Sequence, residues 1–125
     1  MRVIIAGILC LALSGECFAA GSPVAKITFY CSCSKCCNKM PSDKAYGIMA
    51  SGKKVYKGAI ACNWIKFGTK VNIKGLGTFT VEDRGARSLF GTFKKPIAHF
   101  DVWMPDHRQA LKAGVLWREY KICVT

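Results

Sequence analysis

The chain is poor in acid. Seven Asp and Glu stand against nineteen Lys and Arg in 125 residues, a formal charge of +12. Any acid-base chemistry must therefore rest on very few carboxylates. Histidine is scarcer still: there are two, His99 and His107. His107 is expected to be exposed at the start of a helix, so His99 alone competes as a base. Ser51-Gly52 lacks the flanking residues of a G-x-S-x-G nucleophile elbow. The longest apolar stretch, Val3 to Leu13, is followed by Glu16 and falls short of the ~20 residues that a membrane-spanning helix needs. A lipid-anchoring signal needs a small residue before its cysteine, whereas Leu9 precedes Cys10 and Glu16 precedes Cys17. The chain has no internal repeat, no low-complexity tract and no aromatic-basic RNA-binding motif, and nucleic acid is not an expected partner.

What is present begins with a leader. Arg2, the apolar run and the ending Cys17-Phe18-Ala19-Ala20 follow signal-peptide grammar, with cleavage expected after Ala19 or Ala20. Residues 1–20 are thus read as a signal peptide and 21–125 as a single domain, exported to the periplasm, cell envelope or extracellular space, with no transmembrane anchor after cleavage. Cleavage removes Arg2 and Glu16, one charge of each sign, and the domain keeps its +12. In an exported monomer this surface suits anionic envelope polymers. Six cysteines remain: Cys31, Cys33, Cys36, Cys37, Cys62 and Cys123. An even count in a small exported domain reads first as a disulfide set. The competing reading is a metal cluster, since four of the six thiols fall between Cys31 and Cys37. Adjacent cysteines suit tetrahedral ligation poorly, and the expectation is disulfides with no metal and no cofactor.

The hydrophobic pattern predicts a mainly β domain. Ile27, Phe29 and Cys31 alternate with Lys26, Thr28 and Tyr30, the period of a strand with one buried face. Asn38 to Tyr46 reads as a loop, and Gly47 to Gly58 as irregular or a short hairpin. Strands are expected at Ala59 to Trp64, Lys70 to Ile73 and Thr78 to Glu82, the last two joined by the turn Lys74-Gly75-Leu76-Gly77. Ser88 to Pro96 reads as an exposed basic loop and Ile97 to Met104 as a strand. A short helix from Asp106 to Ala113 is capped by Asp106 and stopped by Gly114. Leu116 to Val124 forms the last strand. About six short strands and one helix suggest a closed or nearly closed barrel.

Of the carboxylates beyond the leader, Asp43 falls in a loop, Asp106 caps a helix and Glu119 lies between basic residues. Of the remaining three, Glu82, Asp83 and Asp101, the two aspartates are the candidates. Strand alternation sends Phe100, Val102 and Met104 to the core and His99, Asp101 and Trp103 to the opposite face. A carboxyl between an imidazole and an indole suits a sugar site: the acid protonates a glycosidic oxygen, and Trp103 stacks on a pyranose ring. The alternative is an outward polar row. Asp83 sits where a strand ends, in Val81-Glu82-Asp83-Arg84-Gly85, and shapes a turn or orients Asp101.

A series of segments resembles the three-aspartate (3D) domain proteins of bacteria. Thr28-Phe29-Tyr30-Cys31-Ser32-Cys33-Ser34-Lys35-Cys36-Cys37 is similar to their opening T-A-Y-C-S-C-S-K-C-C, and Gly47-Ile48-Met49-Ala50-Ser51-Gly52 to a G-T-A-S-G step. Phe67-Gly68-Thr69-Lys70-Val71 resembles L-G-T-K-V, Glu82-Asp83-Arg84-Gly85 resembles E-D-T-G, and Phe100-Asp101-Val102-Trp103 resembles I-D-V-Y. Asn63, in Ile60-Ala61-Cys62-Asn63, stands where the family has its first aspartate. The resemblance implies a six-stranded double-psi β-barrel (RlpA-like or barwin-like), as in the catalytic domain of membrane-bound lytic transglycosylase A. It implies cleavage of O-glycosyl bonds in peptidoglycan glycan strands, with Asp101 as catalytic acid/base, Asp83 as a second catalytic residue and Asn63 toward substrate, where the strand pattern already sets His99 and Trp103. On this reading Asn63→Asp, which restores the family's aspartate, is expected to leave activity equal or raise it. With the four-cysteine cluster assigned to the family pattern, Cys62 is expected to pair with Cys123. The alternative function is a non-catalytic wall-binding module, and a third is a cysteine-rich toxin or inhibitor.

Overall fold

The computed structural model describes residues 18–37 and 39–123. The expected signal peptide lies outside the described residues up to position 17, as does Val124 at the end of the expected last strand. Strands β1 (Val24–Tyr30), β2 (Ala59–Ala61), β3 (Lys70–Ile73), β4 (Gly77–Asp83), β5 (His99–Trp103) and β6 (Leu116–Ile122) close into a barrel in the order β1-β5-β2-β4-β3-β6. Among the described residues three short helices accompany them: α1 (Ser34–Cys37), α2 (Arg87–Phe90) and α3 (His107–Ala113). Among the described residues no helix is long and apolar enough to cross a membrane.

Two strand pairs are parallel, β1 with β5 and β2 with β4, and the other neighbours are antiparallel. Exchanging β1, β2 and β3 with β4, β5 and β6 leaves the pairing order and every relative direction unchanged. The barrel thus has two-fold symmetry of pairing without a repeat in sequence. Ile27, Ile60, Val71, Ile73, Val81 and Phe100 fill its interior with none of their surface exposed. Burial of each such side chain contributes about 1.5–3 kcal/mol. Tyr120 closes against Phe100 edge-on, with centroids 5.0 Å apart.

Local signals explain much of this. The β3–β4 hairpin turns at Lys74 to Leu76, where Gly75 has a φ of 82°. Helix α3 starts where Asp106 accepts a hydrogen bond from the Arg108 backbone and ends at Gly114. Tertiary structure alters four expectations. Among the described residues there are three helices rather than one. Strand β2 stops at Ala61, because its register with β4 shifts there and Cys62 turns to donate its N–H to the Asp83 carbonyl. Strand β5 is trimmed at both ends to His99–Trp103. The segment Ser88 to Pro96 is not simply an exposed loop: α2 turns Phe90 inward, and Gly91 pairs with Pro96. Gly91 has a φ of 75°, and a side chain there would run into the Lys95 carbonyl oxygen. This arm covers the outer face of β5.

Candidate active site

The site begins in the registers of the sheet. Thr28 of β1 pairs with Asp101 of β5, Asp101 with Ala61 of β2, and Ala61 with Asp83 of β4. Neighbouring strands lie about 4.8 Å apart, so the two aspartate Cα atoms are on the order of 10 Å apart across Ala61. The small alanine leaves room between them. Asp83 and Asp101, with Tyr30, Cys37, Gly85 and Leu89, are among the residues lining a cleft of about 390 Å³.

Alternation along β5 holds as expected. Phe100 and Val102 face the core, whereas His99, Asp101 and Trp103 face outward. That outward face is roofed rather than open to water. His99 is 4% exposed, stacked on Phe90 at a centroid distance of 4.0 Å. It stands behind the cleft, out of direct reach of a ligand. Burial pushes the Asp101 carboxyl up to about 6, and the charge of Asp83 adds to the effect against the opposing bond from Thr28.

Hydrogen-bond geometry links Asp101 to His99. Nδ1 of His99 lies 3.2 Å from the Leu89 carbonyl oxygen, which can only accept, so Nδ1 carries the proton. Burial holds the imidazole below its ordinary value despite that bond, leaving Nε2 as an acceptor. Nε2 is 2.7 Å from the Thr28 hydroxyl, which is 2.9 Å from Asp101 Oδ1. Thr28 has one proton for these two acceptors. When Asp101 is ionised, Thr28 donates to it and the contact with Nε2 lacks a proton. When Asp101 is protonated, its carboxyl donates to Thr28 and Thr28 donates to Nε2. The neutral acid can satisfy all three groups through Thr28, while the charge-assisted bond from Thr28 to the carboxylate offsets part of the rise that burial imposes on Asp101.

Asp83 has a different environment. Its Oδ2 accepts from the Tyr30 hydroxyl at 2.8 Å, and its Oδ1 accepts from the Ala50 and Arg84 backbones, each at 2.9 Å. It joins the ends of β1 and β4 to the 47–52 turn. Burial and the Asp83 charge push the Tyr30 phenol well above its usual range, so it remains a donor. Next to Asp83, the buried Glu82 accepts from Tyr56 at 2.7 Å and from Lys53 at 3.1 Å. Burial would raise this carboxyl, but these bonds outweigh it and hold the group below its ordinary value.

Asn63 is occupied by the backbone. Its amide N–H groups donate to the Gly85 and Gly91 carbonyls at 2.9 and 2.8 Å, and its oxygen accepts from the Gly85 backbone at 2.8 Å. It ties the two ends of the 85–91 arm together, beside a second hollow that it lines with Arg87 and Phe93. An aspartate could keep the third bond but not donate the first two. The expectation that Asn63→Asp preserves or raises activity thus meets a structural cost that position alone does not reveal. Trp103 is half-buried, its indole N–H given to the Ser32 hydroxyl at 3.1 Å, and it does not line the aspartate cleft.

All six cysteines, Cys31, Cys33, Cys36, Cys37, Cys62 and Cys123, are free thiols. The expected disulfide set, including Cys62 with Cys123, is not formed in this structure. Cys62 is fully enclosed in the barrel core, while Cys123 follows β6 and donates its N–H to the Lys70 carbonyl. Three of the others gather around His107, the histidine expected to be exposed. The sequence reading also missed Thr28 and Tyr30, which alternation placed on a polar face with no sign of their partners on β5 and β4. No protein-family model matches this chain, and neither does any curated protein.

Proposed function

We propose that this chain is an exported peptidoglycan-acting enzyme of the lytic transglycosylase kind, with Asp101 as its single acid/base. The observation that carries this reading is the partly buried Asp101 carboxyl in a cleft, raised to about 6 and joined through Thr28 to a neutral His99. A group titrating near neutrality can both give and retake a proton. The protonated carboxyl donates to the glycosidic oxygen as its bond to the muramoyl anomeric carbon breaks. The resulting carboxylate takes the proton of the muramoyl 6-hydroxyl as that oxygen attacks the same carbon. A 1,6-anhydro sugar forms, water is not consumed, and Asp101 ends protonated. The Asp83 carboxylate positions the wall through Tyr30 and its negative charge keeps the proton on Asp101.

A closed six-stranded barrel with two parallel pairs related by two-fold pairing symmetry is what a double-psi barrel of the three-aspartate family requires. The net charge of +12 suits an anionic envelope. That charge, with the amide of Asn63 spent on the backbone, favours as a second reading a barrel that binds the wall without cutting it. Incubation with purified sacculi separates the two. Release of anhydro-muropeptides supports the enzyme, whereas co-sedimentation without release supports the binding module.

A further inference from the structure

The cysteine loop holds a feature that the glycan reading does not use. Sγ of Cys31 lies 3.0 Å from Sγ of Cys33 and 3.6 Å from Sγ of Cys36. Nδ1 of His107 lies 3.6, 3.2 and 3.4 Å from the sulfurs of Cys31, Cys33 and Cys36. All four atoms fall within 4.8 Å of one another. A tetrahedral zinc with Zn–S of ~2.3 Å and Zn–N of ~2.0–2.1 Å has S···S edges of about 3.8 Å and S···N edges of about 3.5 Å. The sulfur–nitrogen distances and the Cys31–Cys36 distance are near these edges, whereas Cys31 and Cys33 are closer than the ~3.8 Å edge and would move apart on binding. The separation of Cys31 and Cys33 is far above the ~2.04 Å of a disulfide. Pairing any two of these sulfurs would leave the third and the imidazole without a reason to converge.

The adjacency of Cys36 and Cys37, which argues against a metal in the sequence, is resolved by the turn of α1. Cys37 directs its thiol to the Cys31 carbonyl oxygen at 3.2 Å, away from the group. Only Cys36 of that pair faces His107. We propose that Cys31, Cys33, Cys36 and His107 bind one thiolate-preferring divalent ion of the zinc class, as a closed Cys3His site. Three sulfurs and an imidazole select zinc over calcium or magnesium, which prefer oxygen. Four protein ligands leave no open position, so the ion is structural.

Its place in the fold gives it a task. Cys31 follows β1 directly, and His107 opens the helix just beyond β5. These two strands are parallel neighbours, already tied at this end by the Met104 N–H donating to the Tyr30 carbonyl at 2.7 Å. The ion fastens the loop after β1 to α3. It thereby fixes the wall of the cleft at Cys36, Cys37 and Tyr30.

The test uses the exported chain, purified under reducing conditions and loaded with zinc. Elemental analysis is expected to find one zinc per chain after dialysis. X-ray absorption of the wild-type protein is expected to show three sulfurs and one nitrogen about the metal. Cys33→Ser and His107→Ala are expected to weaken binding by more than ~100-fold, beyond the ~10–100-fold typical of losing a group that only supports a ligand. Cys37→Ser is expected to retain full binding. Chelation is expected to lower the Tm by more than ~5 °C, with recovery on adding zinc. The proposal is overturned by folded, reduced protein that holds no stoichiometric zinc, by an oxygen-rich coordination shell, or by equal loss in Cys37→Ser. A disulfide between any two of Cys31, Cys33 and Cys36 in the exported protein overturns it as well. None of these results depends on glycan cleavage.

Discussion

Replacing Asp101 with Asn is expected to stabilise the barrel at neutral pH while removing its chemistry. The carboxyl titrates at 3.8 when free and at about 6 in the fold, mainly through burial. Above pH ~6 the group is ionised in both states, and the fold bears the cost of a buried charge. As pH falls, the folded state takes up the proton first. The favourable contribution is fully present below ~3.8 and is lost as pH rises through ~6. At 1.36 kcal/mol per unit, the change across that window is about 3 kcal/mol. Asparagine has a similar shape, and its oxygen can accept from Thr28, so it avoids the cost of the charge. Urea unfolding of both proteins at pH 4 and pH 7.5 provides the assay. The variant is expected to gain up to ~3 kcal/mol relative to wild type at the higher pH and much less at the lower. An equal difference at both values would show that Asp101 is not perturbed by its surroundings, and the argument from burial would fail.

Two substitutions should move the alkaline limb of the activity profile in opposite directions. Thr28→Val removes the bond that opposes the shift of Asp101, so the limb moves to higher pH; an unmoved limb or movement to lower pH would show that the Thr28 bond does not favour the carboxylate. Asp83→Asn removes the neighbouring charge that raises Asp101, so the limb moves to lower pH, and an unmoved limb would deny the coupling. Asn63→Asp loses two donations and sets a charge against the Gly85 and Gly91 carbonyls, with an expected loss of ~2–4 kcal/mol of stability by denaturant titration. Unchanged stability would mean that the 85–91 arm is held by other contacts.

The sequence was most legible where structure is decided locally. Alternation along β5 placed Phe100 and Val102 inside and Asp101 outside, and the turn at Gly75 and the cap at Asp106 depend on few neighbouring residues. It was least legible where partners are distant in the chain. Thr28 looks like any polar strand residue until β5 lies beside β1 and brings Asp101 and His99 to it. His107 looks like an exposed residue at a helix start, because the three sulfurs near it come from more than 70 positions away. Phe90 sits in a basic stretch with no periodicity, yet it covers His99 and turns an outward face into an enclosed one. Asn63 reads as a lost aspartate by position, whereas its three backbone bonds make the amide the required group.

The most direct test of the account is anhydro-muropeptide release from purified sacculis by wild-type protein and Asp101→Asn, with circular dichroism showing both folded. Loss of a group that gives and retakes the proton typically lowers the rate ~100-fold to 10,000-fold, and a loss in that range is expected here. A folded Asp101→Asn protein that releases anhydro-muropeptides at the wild-type rate would contradict the assignment of Asp101 as the acid/base.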